Sequence, residues 1–265
     1  MAKQTHKRDR RAKTAGSRSR RRGPGDPASP NMIYGLHAVE AALRNPNRVI
    51  NRLFATENAA RRLSPAIESR GIAPELLETR ALDDLIGGEA RHQGIAVETE
   101  PLAQPDLVDL SDSGLVVVLD QVTDPQNVGA ILRSSAAFGA SAIVTTERRS
   151  PPITGVLAKA ASGALEHVAV VKVPNLASGL RELGQMGFFR IGLETSSDDI
   201  LEDQVFSGPT ALVFGAEGKG LRRLTRENCD MLCRLRTAGK LASLNVSNAA
   251  AIALHTVLIN RAQNH

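Results

Sequence analysis

Three short stretches in the second half of the chain hold residue types that can act on a ligand. The first is Asp120-Gln121-Val122-Thr123-Asp124-Pro125-Gln126-Asn127-Val128-Gly129, leading to Arg133. An amide and a guanidinium there could orient a polar substrate and stabilise developing negative charge. Asn127 and Arg133 stand six apart, so a single helix does not give them one face; they converge if the loop ahead of the helix folds back. Read singly, Asn127 caps a turn and Arg133 is a solvated helix residue. The second stretch is Phe214-Gly215-Ala216-Glu217-Gly218-Lys219-Gly220-Leu221. Its glycines let backbone come close to a ligand, and a plain tight turn is the alternative. It is not a Walker loop, because Gly220 follows Lys219 where Ser or Thr is needed. Nor is it a dinucleotide loop, since its glycines run G-x-x-G-x-G and no ribose-binding acidic residue is evident. The third stretch, Ser243-Leu244-Asn245-Val246-Ser247-Asn248 before a run of alanines, offers hydroxyl and amide ligands, or simply an N-cap at Ser247 or Asn248.

Regular elements must hold these stretches in place. Leu115–Leu119 is a continuous apolar run, the pattern of a strand buried on both faces of a parallel sheet. Pro125–Phe138 reads as a helix, with Asp124 as N-cap and Gly139 as its stop. Strands are expected at Ala142–Val144, Val168–Val173, Phe188–Leu193 and Ala211–Phe214, with helices over Ala158–Ala164, Leu176–Leu183 and Val246–Arg261. This alternation predicts a parallel sheet covered on both faces, with the first stretch at the carboxyl end of a strand, where such sheets bind ligands. The first half alternates as well. Helices are expected over Gly35–Leu43, Ala59–Arg70 and Leu82–Leu85, and strands over Val49–Ala55, Glu75–Leu77 and Ile95–Glu98. The expected organisation is a small α/β domain over 32–104, a linker over 105–113 marked by Pro105 and acidic residues, and a larger α/β domain over 114–265.

Charge is unevenly placed. The chain is +5 overall, but residues 1–30 hold ten basic and two acidic residues, which is +8, leaving −3 for the rest (23 basic, 26 acidic). A basic arm poor in apolar residues is expected to be disordered alone, so residues 1–31 read as a tail with a polyanion partner, or as a solubilising extension. Arg44, Arg48 and Arg52 are further candidate RNA contacts, or a solvated face, and Arg222, Arg223 and Arg226 read as a solvated helix face. With one Tyr and no Trp, the chain is not a single-strand binder built on stacked rings. Two cysteines, Cys229 and Cys233, exclude a disulfide scaffold and read as small buried hydrophobes rather than a metal pair. No run is long enough for a membrane helix, and the expected compartment is the cytoplasm.

Each stretch is ambiguous alone, but the series is not. Asp124-Pro-Gln-Asn-Val-Gly with Arg133, then Phe214-Gly-Ala-Glu-Gly-Lys-Gly-Leu, then Ser243-Leu-Asn-Val-Ser resembles the three motifs of the SpoU (TrmH-type) RNA ribose 2′-O-methyltransferases. Residues 32–104, opening Ile33-Tyr34-Gly35-Leu36-His37, resemble that family's substrate-binding domain. The resemblance implies a parallel α/β methyltransferase domain with a C-terminal trefoil knot, a homodimer, S-adenosylmethionine as cofactor, and RNA as substrate. Members with this two-domain layout act on a guanosine of 23S ribosomal RNA; tRNA methylation and a non-catalytic ribosome-assembly role are the alternatives. Carried over residue by residue, the catalytic candidates are Arg133, Asn127, Glu217 and Asn245, with Arg133 contributed across the dimer. The cofactor candidates are Gly215, Leu235, Leu244, Gly220 and Ser243, and no metal is implied. One departure stands out: Leu235-Arg236-Thr237 replaces a common Ile-Pro-Met, which removes a proline from the cofactor loop.

Overall fold

The protein is described by a computed structural model covering residues 31–87, 90–110, 114–239 and 243–263. The expected basic tail lies outside the described residues. The first half forms β1 (Met32–Tyr34), α1 (Leu36–Arg44), β2 (Ile50–Ala55), α2 (Glu57–Arg62), α3 (Ser64–Arg70), β3 (Glu75–Leu76), α4 (Thr79–Ile86) and β4 (Ile95–Thr99). Its sheet runs β1-β4-β2-β3, with β4 antiparallel to both neighbours and β3 parallel to β2. The single helix expected over Ala59–Arg70 is two, because the chain turns at Leu63 and restarts with Pro65 in the first turn of α3.

The second half forms β5 (Leu115–Asp120), α5 (Pro125–Ala137), β6 (Ala142–Thr146), α6 (Gly155–Ala161), β7 (Ala169–Val173), α7 (Leu176–Gln185), β8 (Phe189–Leu193), β9 (Thr210–Gly215), α8 (Arg223–Glu227), β10 (Met231–Cys233) and α9 (Val246–Gln263). The sheet order is β10-β8-β9-β5-β6-β7, every pair parallel. All six residues of β5 are buried. Leu115, Val117 and Leu119 face the core shared with α5, α6 and α9, while Val116 and Val118 face the core under α7. That is why β5 reads as an unbroken apolar run rather than an alternation. Within the segment expected as a linker, Leu107–Leu110 makes a 3-10 turn that buries Leu107 and Leu110 in the α7-side core.

The two sheets share one apolar core across their seam: Ile33, Leu36 and Val39 belong to the same cluster as Leu157, Leu165 and Val257. Small residues bring the halves together. A Cβ on Gly155 would overlap the Tyr34 ring, and one on Gly163 would sit 2.6 Å from Ala41 Cβ. A charge pair is sealed into the seam. Arg48 Nη2 donates to Glu166 Oε1 at 2.6 Å, with side-chain exposures of 5% and 2%. Asn45 Nδ2 donates to Glu166 Oε2 at 2.6 Å, Arg48 Nη1 donates to the Glu100 carbonyl at 3.1 Å, and Arg70 donates to the Arg48 carbonyl. Arg48 is therefore a structural brace and not an RNA contact. Arg44 and Arg52 are matched by Glu40 and Glu75, and Arg52 also lies over the Phe54 ring.

Candidate active site

The site forms at the carboxyl edge of the parallel sheet, where β5 and β9 lie side by side with Asp120 in register with Gly215. Asp124 caps α5 by accepting from Gln126 N and Asn127 N, and Pro125 occupies the first turn. This places Asn127 in the opening turn of the helix. Gly215 ends β9, and only glycine fits there: a Cβ would overlap the Gly220 carbonyl and lie 2.5 Å from Leu221 N. The loop closes on itself through Gly220 N donating to the Ala216 carbonyl at 2.9 Å, with Gly218 and Gly220 at φ 73 and 63. Glu217 rides on this loop.

Asn245 precedes α9 and does two things at once. Its Oδ1 accepts from Ser247 N at 2.9 Å and Ser247 Oγ at 2.6 Å, so it, rather than Ser247 or Asn248, caps the helix. With the oxygen committed, its Nδ2 donates to Glu217 Oε1 at 2.5 Å and Asn127 Oδ1 at 3.1 Å. Asn127 Nδ2 donates to the same Glu217 oxygen at 3.1 Å. Residues 90 and 118 positions apart from Asn127 thus meet in one polar knot of two amides and a carboxylate.

This cluster borders a cavity of about 600 Å³. Gly215, Gly220, Leu235, Ser243 and Leu244, the five cofactor candidates, all line it, as does Glu217. So do Glu194 and Thr195 after β8, and Arg234 and Thr237 after β10. The sequence reading did not single these out. Their one signal is their position just past the carboxyl end of a strand, which becomes visible only when β8 and β10 are known to be parallel neighbours.

The second-half residues 114–255 match the model of the SpoU rRNA methylase family, and residues 32–105 match an RNA 2′-O ribose methyltransferase substrate-binding model. The 23S rRNA (guanosine-2′-O-)-methyltransferase RlmB of Salmonella typhi is 40% identical over 240 residues, covering 87% of this chain and 98% of the relative. The enzyme of the same name from Escherichia coli K12 matches at 40% with the same coverage. This chain belongs to the SpoU family. Among solved structures, the SpoU methyltransferase AviRb of Streptomyces viridochromogenes in complex with AdoMet superposes with a TM-score of 0.72 at 22% identity, covering 87% of this chain and 90% of that one. An AdoMet-bound rRNA methyltransferase from Sinorhizobium meliloti gives 0.72 at 24%, covering 85% of each chain. Both share the fold.

Two residues of the SpoU series sit elsewhere than the sequence suggests. Arg133 lies on α5 with Asn127, not on a loop folded back toward it. Six helical positions turn it about 120° away and carry it about 9 Å along the axis. It is exposed and makes no hydrogen bond or ion pair among the described residues. Gly129 serves packing: a Cβ there would lie 2.9 Å from the Leu157 carbonyl and overlap Ala160, so it lets α6 press against α5.

Beneath the site lies a further ion pair. Asp120 is fully buried and accepts from Arg222 Nε at 2.6 Å and Arg222 N at 3.0 Å. Gln121 follows at φ 62, a left-handed conformation that costs a side-chain-bearing residue about 1–2 kcal/mol. Arg222 is thus no solvated helix residue; it ties the exit of the glycine loop to the end of β5. Arg226 also turns inward, to Glu194 and the Leu221 carbonyl, and only Arg223 keeps the expected exposed place, paired with Glu227. Cys233 is buried and Cys229 half-buried; burial pushes their thiols up to about 11 and about 12. Among the described residues no group of three His, Cys, Asp or Glu could hold a metal. No helix among them is long and apolar enough to cross a membrane.

Proposed function

We propose that this chain transfers a methyl group from S-adenosylmethionine to a ribose 2′-hydroxyl of RNA, with a guanosine of 23S ribosomal RNA as the target. The observation that carries the reading is the Asn127–Glu217–Asn245 cluster opening on the glycine-loop cavity. The match to RlmB enzymes over nearly their whole length supports the choice of substrate.

The cavity suits the cofactor. Its volume falls within the range of roughly 300–1,000 Å³ usual for small-molecule sites. Leu193, Leu235 and Leu244 offer apolar walls for an adenine, and Glu194 and Glu217 offer carboxylates toward cationic groups. Gly215, Gly220 and Ser243 would hold the cofactor largely through backbone groups. When bound, S-adenosylmethionine supplies a methyl group on a sulfonium, open to displacement by a nucleophile.

The chain's own residues orient the nucleophile. A 2′-hydroxyl is weak and must lose its proton as it attacks. Asn127 and Asn245 hold Glu217 so that the ribose meets a fixed polar wall. Arg133 is always charged, a poor base but a good partner for a developing alkoxide and the adjacent phosphate. Within one copy it does not converge with the cluster, so the reading includes a homodimer in which each site takes the partner copy's Arg133. Ile252 and Ile259, one heptad apart on α9, are apolar yet exposed, which supports a second copy against that helix. The C-terminal knot belongs to the same proposal, supported by α9 returning across the sheet: Arg261 donates to the Gly114 and Gly208 carbonyls.

The test is transfer of labelled methyl to RNA from cells lacking this protein, with ribose methylation mapped. Label on one 23S guanosine is expected; label confined to tRNA overturns the substrate, and no label on any RNA overturns the reading. The shared site is tested by mixing Arg133→Ala with Asn245→Ala, each inactive alone. One site of each mixed dimer is then intact, so roughly a quarter of full activity returns if the site is built across a two-fold interface. No recovery would sink the shared-site arrangement.

A further inference from the structure

Two cations meet at the seam between the halves with no carboxylate to balance them. Lys159 on α6 is half-buried, and Arg91, on the loop before β4, is exposed; neither makes a hydrogen bond or ion pair among the described residues. The Lys159 ammonium is held below its ordinary value, first by burial and then by the charge of Arg91. Lys159 Cγ would lie 3.6 Å from a Cβ on Gly35, and Gln93 Oε1 3.3 Å from it. Gly35, at φ 97, thus leaves the space into which both side chains lean. Gln93 is itself left-handed at φ 57 and uses its Oε1 to accept from Leu36 N at 3.1 Å. The first turn of α1 holds no acidic residue.

Elsewhere in the described structure the seam settles its charges carefully, as Arg48 and Glu166 show. An unmatched ammonium beside a guanidinium weakens the fold and serves it in no visible way. The brace also keeps the two walls of this place fixed, Lys159 from the larger half and Arg91 from the smaller.

We propose that Lys159 and Arg91 form a phosphate-binding subsite for the RNA backbone, built jointly by the two halves. This rests on the reading of the chain as an RNA methyltransferase. RNA held there spans both halves, so a strand reaching the methyl-transfer cavity is gripped at a second, fixed point. Lys159 gains the counter-charge that the protein does not provide, and Arg91 can clamp the same phosphate with two donors.

The test uses the full chain and two probes. Binding of a single-stranded oligouridylate is measured against salt concentration, and methyl transfer is measured on unmethylated 23S rRNA. Each phosphate contact in a single strand contributes a slope of about 0.7 in the log–log plot. Lys159→Gln and Arg91→Gln should each lower the slope by about that amount and weaken binding several-fold at low salt. Lys159→Arg should keep the slope. The melting temperature of Lys159→Gln should equal or exceed wild type, because an unmatched charge is removed. An unchanged slope in both Gln variants overturns the subsite, as does a lowered melting temperature with the slope intact. If wild type methylates no RNA while the slopes still fall, the methyltransferase reading fails and the subsite stands.

Discussion

Glu166→Gln isolates the brace at the seam. The wild-type carboxylate accepts from Arg48 Nη2 and Asn45 Nδ2, each at 2.6 Å, and from Arg48 Nε at 3.2 Å, with almost no water contact. The amide keeps the volume but removes the charge, and it turns one acceptor into a donor facing Arg48 or Asn45. Only the Glu100 carbonyl, at 3.1 Å from Arg48 Nη1, then remains to the guanidinium. Removing one partner of a buried pair costs about 3–5 kcal/mol, because the other charge stays buried and uncompensated. Replacing both, as Arg48→Met with Glu166→Leu, should restore much of that loss. Glu40→Ala breaks the exposed pair with Arg44 and serves as a control, with an expected cost of about 0–1 kcal/mol. Urea unfolding can be followed by far-ultraviolet circular dichroism and by tyrosine fluorescence. Tyr34 is the sole tyrosine, there is no tryptophan, and its ring packs on Gly155 at the seam. In Glu166→Gln the tyrosine signal should therefore change at lower urea than the dichroism, as the halves part before they unfold. A cost below about 1 kcal/mol, no greater than that of an exposed pair, would refute the argument.

Gly215→Ala should abolish cofactor binding by calorimetry, because the new methyl cannot coexist with the Gly220 carbonyl; the overpacking should also cost about 1–3 kcal/mol in stability. The Asp230 carboxyl is held below its ordinary 3.8 by the hydrogen bonds from Arg190, so its contribution to stability is present above that value and fades as pH falls through the lowered one. The stability gap between wild type and Asp230→Asn should accordingly be widest near neutral pH and close in acid, as read by urea midpoints from pH 7 to pH 2. Neither cysteine should react with a thiol reagent at pH 8 in the native protein, and both should react in urea, since burial keeps the thiolates scarce.

Much of the frame is legible in local pattern. The unbroken run at β5, the Asp124-Pro125 start of α5 and the Gly139 stop at φ 76 are each dictated by neighbours within a few positions. Short elements are less legible: β1 and β10 have three residues each, too few to display a period. The break between α2 and α3 is likewise hidden, because one turn at Leu63 interrupts an otherwise helical pattern.

By itself the sequence determined the parallel α/β body, the uneven charge, and the three stretches whose wording matches the SpoU series. Those features depend on residue type and short spacing, which the chain displays directly. Only the tertiary structure decided which polar groups meet. It joined Asn127, Glu217 and Asn245 through one carboxylate oxygen, turned Arg133 away from them, and spent Arg48 and Arg222 on buried carboxylates. In a linear string an arginine that will reach solvent and one that will be sealed against a distant glutamate look alike. The difference lies in whether a partner more than a hundred residues away arrives to replace the water, and packing alone settles that.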